Sequence, residues 1–458
     1  MYLKRVKSEG LAHFSYILGS LNEAVVIDPR RDIDIYLETC HEMGFSIKYI
    51  LETHRNEDYI IGSREIKKKI RDAEIFHGND LPYEYGNQLE DGQMLEFGDC
   101  KIKALHTPGH TLGSFSYVAY GEEFSQRPLY VFTGDVLFAG DTGRTDFYGE
   151  ARKAEVSGKL YDSIQKIFEL GDDIILYPAH GAGSVCGSSI QEREPTTIGI
   201  EKKVNPKLMM SREAFVEMKV NEHHEYPPYF KKMEEYNLGT APFVSERTFP
   251  VALGPKKVLN MKGKGAQIVD VRRPPGFGGA HIEGALSIWL EGIPSFAGWF
   301  LDYEKPIILV LDSAEDIHIA EKYLNRIGYD NIAGYLLNSM LSWYMNALPI
   351  EQNKMITVQE LKEKIDNEED VHILDVRSVE EREEGYIPNT NHIYVGHIEG
   401  KLEKIPKSKP IIVHCTVGYR ANIAASILLK NGHKDVSVVL GSSKAWEKAG
   451  YEVQQTNM

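Results

Sequence analysis

Short apolar runs alternate with amphipathic segments along residues 1–200. Several of these runs have the length and β-branched content of strands, and a polar side chain follows each one. The segment 34–43 instead spaces its apolar residues with the period of an amphipathic helix. The strand-like runs and the polar residues after them are 25–27 with Asp28, 49–51 with His54, 130–132 with Asp135, and 174–176 with His180. Because strand ends meet at one rim of a sheet, we expect these side chains to lie near a ligand site.

The pattern changes over residues 200–245, where charged amphipathic residues are mixed with an Asn-Pro pair at 205–206 and a Pro-Pro pair at 227–228. Proline limits regular structure at these points. The segment is therefore predicted to be a helical or extended bridge between domains.

The rest of the chain contains a repeat with a spacing of about 105 residues. The run Ile-Val-Asp-Val-Arg at 268–272 returns as Ile-Leu-Asp-Val-Arg at 373–377. In each copy a Gly-containing turn follows, then a Pro-led apolar run and a helical pattern. The apolar runs and helices are 306–311 and 317–327 in the first copy, and 410–414 and 420–430 in the second. Strands that alternate with helices predict a parallel α/β sheet in each copy.

Composition is that of an ordinary globular protein and argues against several classes of function. A length of 458 residues suggests about three domains. The 52 basic against 67 acidic residues give a formal charge of −15, so nucleic-acid binding is not expected, because such a surface repels phosphate. No apolar run reaches the roughly 18 residues of a membrane span, and the first residues do not resemble a secretory signal.

The four cysteines are Cys40, Cys100, Cys186 and Cys415, and no two of them form a Cys-x-x-Cys pair. This spacing predicts neither a disulfide framework nor a zinc knuckle. Because a reducing cytoplasm keeps such thiols free, we expect a cytoplasmic protein. Cys40 and Cys100 are expected to serve packing.

Two histidines and an aspartate from three separate blocks form a candidate metal site: His54, His110 and Asp135. The blocks read Thr-His-Arg-Asn-Glu-Asp-Tyr at 53–59, Thr-Pro-Gly-His-Thr at 107–111 and Thr-Gly-Asp at 133–135. Two imidazoles and one carboxylate, with other positions open, are the ligand set of non-haem Fe(II) oxygenases. The alternative is that these are unrelated polar residues at strand ends.

The order of these blocks resembles the metallo-β-lactamase family. Two further stretches, Gly-Arg-Thr-Asp-Phe at 143–147 and His-Gly-Ala-Gly-Ser-Val-Cys-Gly at 180–187, are similar to persulfide dioxygenases, especially bacterial proteins that fuse such a domain to two rhodanese domains. The resemblance implies an α/β protein with a metallo-β-lactamase αββα sandwich, followed by two rhodanese-like α/β domains with parallel sheets. The expected boundaries are 1–245, 246–350 and 351–458.

This resemblance also implies a cofactor and substrates. One Fe(II) per chain would be held by His54, His110 and Asp135, with zinc as the alternative metal. The substrates would be a low-molecular-weight thiol persulfide and O2, and the products sulfite and a thiol. The family also suggests a homo-oligomer, without a nucleic acid or membrane partner.

The first block departs from the family pattern at two positions. Asn56 and Tyr59 stand where the family has its second and last histidines, whereas Asp58 is kept. A two-zinc site is therefore disfavoured, and either a mononuclear site with altered surroundings or a decayed site is compatible. The residues expected around the metal or the substrate are Asn56, Asp58, Tyr59, Arg144, His180 and Cys186. Among them Arg144 is expected to contact an anionic substrate or form a structural ion pair, and Cys186 to accept persulfide sulfur or merely pack.

Cys415 is the strongest single candidate for chemistry. It follows the apolar run 410–414 and precedes a helix, in the block Cys-Thr-Val-Gly-Tyr-Arg at 415–420. Inward backbone N–H groups, the helix N-terminus and Arg420 favour a thiolate there. The block resembles the active loop of rhodaneses, which implies that Cys415 carries sulfane sulfur. In the first copy the same position falls at Leu311 or Asp312, so that copy is expected to be inactive.

Together these features predict a persulfide dioxygenase coupled to a rhodanese sulfurtransferase in sulfide detoxification, with thiosulfate as a further product. Three alternatives stay open at this point. One is a sulfurtransferase whose metal domain has degenerated, the second a metal-dependent thioester hydrolase, and the third a non-enzymatic carrier of sulfane sulfur.

Overall fold

The computed structural model describes residues 1–121, 127–184, 186–187, 189–193 and 195–455. Val185 of the predicted 180–187 motif lies outside the described residues. The chain forms two compact units, Met1–Glu246 with Asn325–Gly328, and Arg247–Leu324 with the residues from Tyr329 onward. None of the described helices has the length and apolar character that crossing a lipid bilayer requires.

Two β-sheets form the framework of the first unit. Their strands are β1 (Tyr2–Ser8), β2 (His13–Ser20), β3 (Glu23–Ile27), β4 (Ser46–Leu51), β5 (Glu74–His77), β6 (Asn87–Gln88), β7 (Met94–Phe97), β8 (Cys100–His106), β9 (Phe115–Tyr120), β10 (Tyr130–Gly134), β11 (Ile175–Pro178) and β12 (Thr196–Thr197). The first sheet has the order β1-β2-β3-β4-β5-β6, and the second β12-β11-β10-β9-β8-β7. Both sheets are mixed, since β3–β6 pair in parallel and so do β10 and β11, whereas β1–β3 and β7–β10 pair antiparallel.

Six α-helices complete the described part of the first unit. They are α1 (Asp34–Met43), α2 (Ser63–Lys69), α3 (Glu150–Phe168), α4 (Ile198–Val204), α5 (Arg212–Asn221) and α6 (Phe230–Glu235). The bounds of α1 match the predicted helix.

Alternating side chains of the strands divide the core into three layers. On β2, Tyr16 and Leu18 pack in the cluster that contains apolar residues of both sheets, including Phe132. Ile17, which points the other way, packs with Tyr36 of α1. A third cluster joins the second sheet to α3. This period of two buries both faces of each sheet and gives the αββα arrangement.

The segment 200–245, expected to be a helical or extended bridge, is largely helical. It contains most of α4 together with α5 and α6, and it belongs to the first unit. Phe215 of α5 is fully buried and packs in the same cluster as Leu160 and Ile164 of α3. Burial of this one large ring anchors the segment, which is hard to infer from a charged, proline-containing sequence.

The second unit contains the two sequence repeats. Its strands are β13 (Val251–Leu253), β14 (Gln267–Asp270), β15 (His281–Ile282), β16 (Leu286–Ser287), β17 (Ile307–Val310), β18 (Ile332–Leu336), β19 (Ile350–Glu351), β20 (Lys354–Ile356), β21 (His372–Asp375), β22 (Thr390–His392), β23 (Ile411–His414) and β24 (Val436–Val439). Its helices are α7 (Pro255–Gly263), α8 (Pro274–Gly279), α9 (Ile293–Phe300), α10 (Ile317–Arg326), α11 (Ser339–Met345), α12 (Val358–Asp366), α13 (Val379–Glu383), α14 (Tyr419–Lys430) and α15 (Ser442–Lys448).

Each repeat builds a five-stranded parallel sheet with the same order, β13-β18-β17-β14-β16 in the first and β20-β24-β23-β21-β22 in the second. The register aligns Asp270 with Val310, and Asp375 with His414. The residue after each aligned pair is therefore Leu311 in the first repeat and Cys415 in the second.

Candidate functional site

The candidate metal ligands of the first unit lie in loops that follow strands. His54 follows β4, His110 follows β8, and Asp135 directly follows β10. Gly134 brings two of these loops together. Its φ is +54°, and a Cβ atom there would lie 2.6 Å from Thr53 Oγ1, so a residue with a side chain would separate the loops.

These loops bring three ligand atoms together. The Nε2 atoms of His54 and His110 lie 3.6 Å and 3.5 Å from Asp135 Oδ2. Each histidine uses its other nitrogen elsewhere: His54 Nδ1 lies 2.8 Å from Thr53 Oγ1, and His110 Nδ1 lies 3.1 Å from the carbonyl oxygen of Arg144. The Nε2 lone pairs are therefore free to face a cation.

The protonation states in this cluster fit a divalent metal. Burial lowers the pKa of His54, and it lowers the pKa of His110 to about 3, so both rings are neutral. Burial alone would raise the pKa of Asp135, but the charge of His180 and its hydrogen bond hold that pKa below its usual value. His110 Nε2 and Asp135 Oδ2 are buried and have no hydrogen-bond partner among the described residues. Buried polar atoms without a partner are costly, and a bound cation would satisfy them.

His180 links two carboxylates behind this cluster. Its Nδ1 lies 2.7 Å from Asp135 Oδ1, and its Nε2 lies 3.1 Å from Asp58 Oδ2. Burial disfavours the charged ring, but these two carboxylates raise the pKa of His180 well above its usual value. His180 and Asp58 thus pair with one another.

Asn56 and Tyr59 are both buried, and neither supplies a nitrogen ligand. Asn56 Nδ2 donates to the carbonyl oxygen of His54 at 3.3 Å. The Tyr59 ring packs against His13 at 4.2 Å between centroids, and burial raises the pKa of its hydroxyl well above the usual value. A neutral phenol is a poor ligand, which disfavours a second metal position here.

Arg144 contacts the candidate metal site through its backbone carbonyl oxygen, which lies next to His110 Nδ1. Its guanidinium is fully buried and makes two hydrogen bonds to Asp146, at 2.7 Å and 2.6 Å. This pairing is the structural ion pair that was one of the two roles expected for Arg144, and the contact with an anionic substrate stays a prediction. The carbonyl oxygen of Arg144 contacts the His110 ring.

Cys186 lies in the same buried region as the metal ligands. Its Sγ lies within 4.8 Å of ligand atoms of His110 and Asp135. Burial and the nearby Asp135 carboxylate raise the pKa of this thiol well above its usual value, so it is protonated here. A bound cation would reverse that effect, since cations favour the thiolate.

Glu57 is a further site residue that the sequence pattern does not single out. Its side chain is buried, and its Oε2 lies 3.9 Å from His110 Nε2. Burial raises the pKa of Glu57 to about 8, against the opposing effect of the Arg55 guanidinium. The only sequence signal is its place inside the first metal block.

The loop that carries Cys415 forms the second site. Gly418 N–H donates to Cys415 Sγ at 3.0 Å, and Gly418 has a φ of +109°, which lets the chain turn into α14. Arg420 makes two hydrogen bonds of 2.6 Å to Glu381. The positive charge that Arg420 is expected to place beside the sulfur is therefore largely balanced by Glu381. The Arg420–Glu381 pair stabilises the loop.

A groove of about 230 Å³ adjoins this loop. It is lined by Val417, Gly418 and Tyr419 of the loop, and by residues of the first repeat that include Arg273. The Tyr419 ring packs on Trp289 at 4.8 Å between centroids. The first repeat, although it lacks a cysteine, forms one wall of the groove.

Comparisons with known proteins agree with this geometry. Residues 9–180 match the metallo-beta-lactamase superfamily, and residues 254–346 and 357–449 each match the rhodanese-like domain. The mitochondrial persulfide dioxygenase ETHE1 of Homo sapiens is 31% identical over 216 residues, which are 45% of this chain and 76% of the human protein. The chain belongs to the persulfide dioxygenase family. A hydroxyacylglutathione hydrolase of Francisella philomiragia is also 31% identical, over 38% of this chain and 64% of that protein.

One solved structure matches this member of the persulfide dioxygenase family over more residues than its first unit contains. The crystal structure of a metallo-beta-lactamase from Staphylococcus aureus has a TM-score of 0.66 and 29% identity, and the match covers 74% of this chain and 99% of that one. The predicted family resemblance and the predicted fold class are confirmed. The prediction of an enzyme that joins dioxygenase and sulfurtransferase domains is confirmed at the level of the family, which also implies a metal-binding site.

Proposed function

We propose that this protein is a non-haem iron persulfide dioxygenase coupled to a rhodanese sulfurtransferase, and that it serves sulfide detoxification. The observation that carries the proposal is the cluster of His54 Nε2, His110 Nε2 and Asp135 Oδ2, three donor atoms that suit one divalent ion. We expect a reducing cytoplasm, in keeping with four free cysteines. Assembly into a homo-oligomer stays a prediction.

The same cluster supports one metal ion rather than two. A second ion would need nitrogen donors where Asn56 and Tyr59 stand, and His180 is held between Asp58 and Asp135. A thioester hydrolase that depends on two zinc ions is disfavoured for this reason, although hydroxyacylglutathione hydrolases are among the relatives.

In the proposed reaction a thiol persulfide, O2 and water give a thiol, sulfite and two protons. The terminal sulfur loses four electrons, and O2 gains them. Iron bound by His54, His110 and Asp135 supplies the redox-active centre. The chain orients those ligands through the Arg144 carbonyl and His180, and burial keeps bulk water away from the reacting groups.

The second reaction is proposed for Cys415. Its thiolate attacks the sulfane sulfur of a donor, the donor thiol or sulfite leaves, and a cysteine persulfide forms. Sulfite from the first site then attacks the outer sulfur, which releases thiosulfate and restores the thiolate. The N–H group of Gly418 is placed to stabilise negative charge on Sγ.

Metal analysis of the purified protein tests the proposal. We expect about one iron per chain after anaerobic loading, because His54 Nε2 and His110 Nε2 both approach the same oxygen of Asp135. Two zinc ions per chain would favour the hydrolase instead. A protein that binds no metal after loading would instead be a sulfurtransferase whose metal domain has degenerated.

His180→Ala is expected to weaken metal binding by about 10–100-fold, because outer partners of a ligand carboxylate tune its affinity by that factor. The measurement is competition with a chromophoric chelator, and His41→Ala, which alters an exposed histidine, is the control. Equal affinities for the two variants would show that His180 does not act on Asp135.

Arg273→Ala is expected to raise the KM for thiosulfate by about 2–5-fold, since one exposed charge pair contributes about 0.2–1 kcal/mol. The kcat of sulfur transfer should change less, because Cys415 is untouched. Lys256→Ala removes an exposed cation of the same repeat outside the groove and is the control. Equal KM values for Arg273→Ala and Lys256→Ala would argue against the groove as the binding site of thiosulfate.

A further inference from the structure

Glu57 has a buried carboxylate beside the candidate metal ligands. Only 2% of the residue is exposed, and Oε2 lies 3.9 Å from His110 Nε2. One donor atom each from His54, Glu57 and His110 lies within 4.8 Å of the others. Glu57 thus lies close enough to the two histidines to share an ion with them.

Arg55 holds this carboxylate in place. Its Nε lies 2.9 Å from Glu57 Oε1, and its Nη1 lies 3.1 Å from Glu234 Oε2. The guanidinium is itself stacked near the Tyr148 ring, with 5.1 Å between its central carbon and the ring centroid. One oxygen of Glu57 is therefore in an ion pair with Arg55, and the other lies on the side of His110.

The free oxygen has no other partner among the described residues. Glu57 Oε2, His110 Nε2 and Asp135 Oδ2 are all buried without a hydrogen bond. Three unsatisfied acceptors at one place indicate a shared cation, since leaving them empty is costly.

Glu57 is nearer to the first metal position than to the second. The donors grouped with it are His54 and His110, whereas Asp58 and His180 group with Cys186. Resting on the metal site proposed above, we propose that Glu57 is a fourth protein ligand, so that the ion is held by two histidines and two carboxylates.

Cobalt(II) binding to the full-length apoprotein tests this assignment without reference to activity. Under anaerobic competition with a chromophoric chelator, Glu57→Gln is expected to weaken Co(II) binding by at least about 10-fold, the lower limit for losing even an outer partner. The d–d absorption of bound Co(II) should also change, because one oxygen donor is lost. Glu234→Gln, which neutralises another carboxylate partner of Arg55, should match the wild type in both measurements.

Glu57→Asp separates coordination from simple charge. Aspartate keeps the negative charge, but its side chain is one methylene shorter and places the oxygen farther from the ion. Co(II) affinity should therefore fall in Glu57→Asp as well. Wild-type affinity and spectrum in either Glu57 variant would overturn the assignment while leaving the three-ligand site intact. Failure of the wild type to bind Co(II) would instead overturn the metal site and the assignment together.

Discussion

Asp135→Ala is expected to lose both bound metal and oxygen uptake. Asp135 Oδ2 is the atom that both ligand histidines approach, and its other oxygen is held by His180. Removing it leaves the two neutral rings without the carboxylate oxygen that both of them approach. Because the loss of an outer partner already costs about 10–100-fold in metal affinity, the loss of a ligand should cost more. We therefore expect less than about a tenth of the wild-type iron content at equal loading.

The control for this prediction is Asp72→Ala, which removes an exposed carboxylate of the same unit. It should load iron like the wild type. Thermal unfolding of both variants shows whether the fold is kept. Wild-type iron content in folded Asp135→Ala would contradict the assignment of the site.

Cys415→Ser is expected to abolish sulfur transfer and leave oxygen uptake unchanged. The hydroxyl is a far weaker nucleophile than a thiolate and cannot carry sulfane sulfur. The loop itself should persist, because its turn depends on Gly418 and on the Arg420–Glu381 pair. The assay is formation of thiocyanate or of a thiol persulfide from thiosulfate.

Cys100→Ser is the matched control, because Cys100 is also buried but lies at the start of β8, far along the chain from the loop. It should retain sulfur transfer. Transfer activity in Cys415→Ser above that of the uncatalysed reaction would mean that another thiol, such as Cys186, carries the sulfur. A parallel fall in oxygen uptake would show that the two reactions depend on one another.

The parts of the site that follow strands could be predicted from sequence. Short continuous apolar runs mark β3, β4 and β10, and the polar residues after them meet at one rim for reasons of topology alone. The repeat likewise predicts two equal sheets, and the observed register aligns Leu311 with Cys415. These features follow from apolar runs and a repeat that can be read directly along the chain.

Other features depend on partners that are distant in sequence. Glu381 lies 39 residues before Arg420, and no local pattern indicates that the two pair. The carbonyl oxygen of Arg144 lies 3.1 Å from His110 Nδ1, 34 residues away along the chain, and no local pattern indicates this contact. Glu57 has no periodic signal, since its inward direction comes from Arg55 and from the loop conformation.

Oxygen consumption by the anaerobically iron-loaded, full-length protein is the most direct test of the central claim. With glutathione persulfide or coenzyme A persulfide as substrate, we predict one O2 consumed and one sulfite formed for each persulfide. The absence of oxygen uptake in a protein that holds about one iron per chain would contradict the account, and the chemistry would then rest on Cys415 alone.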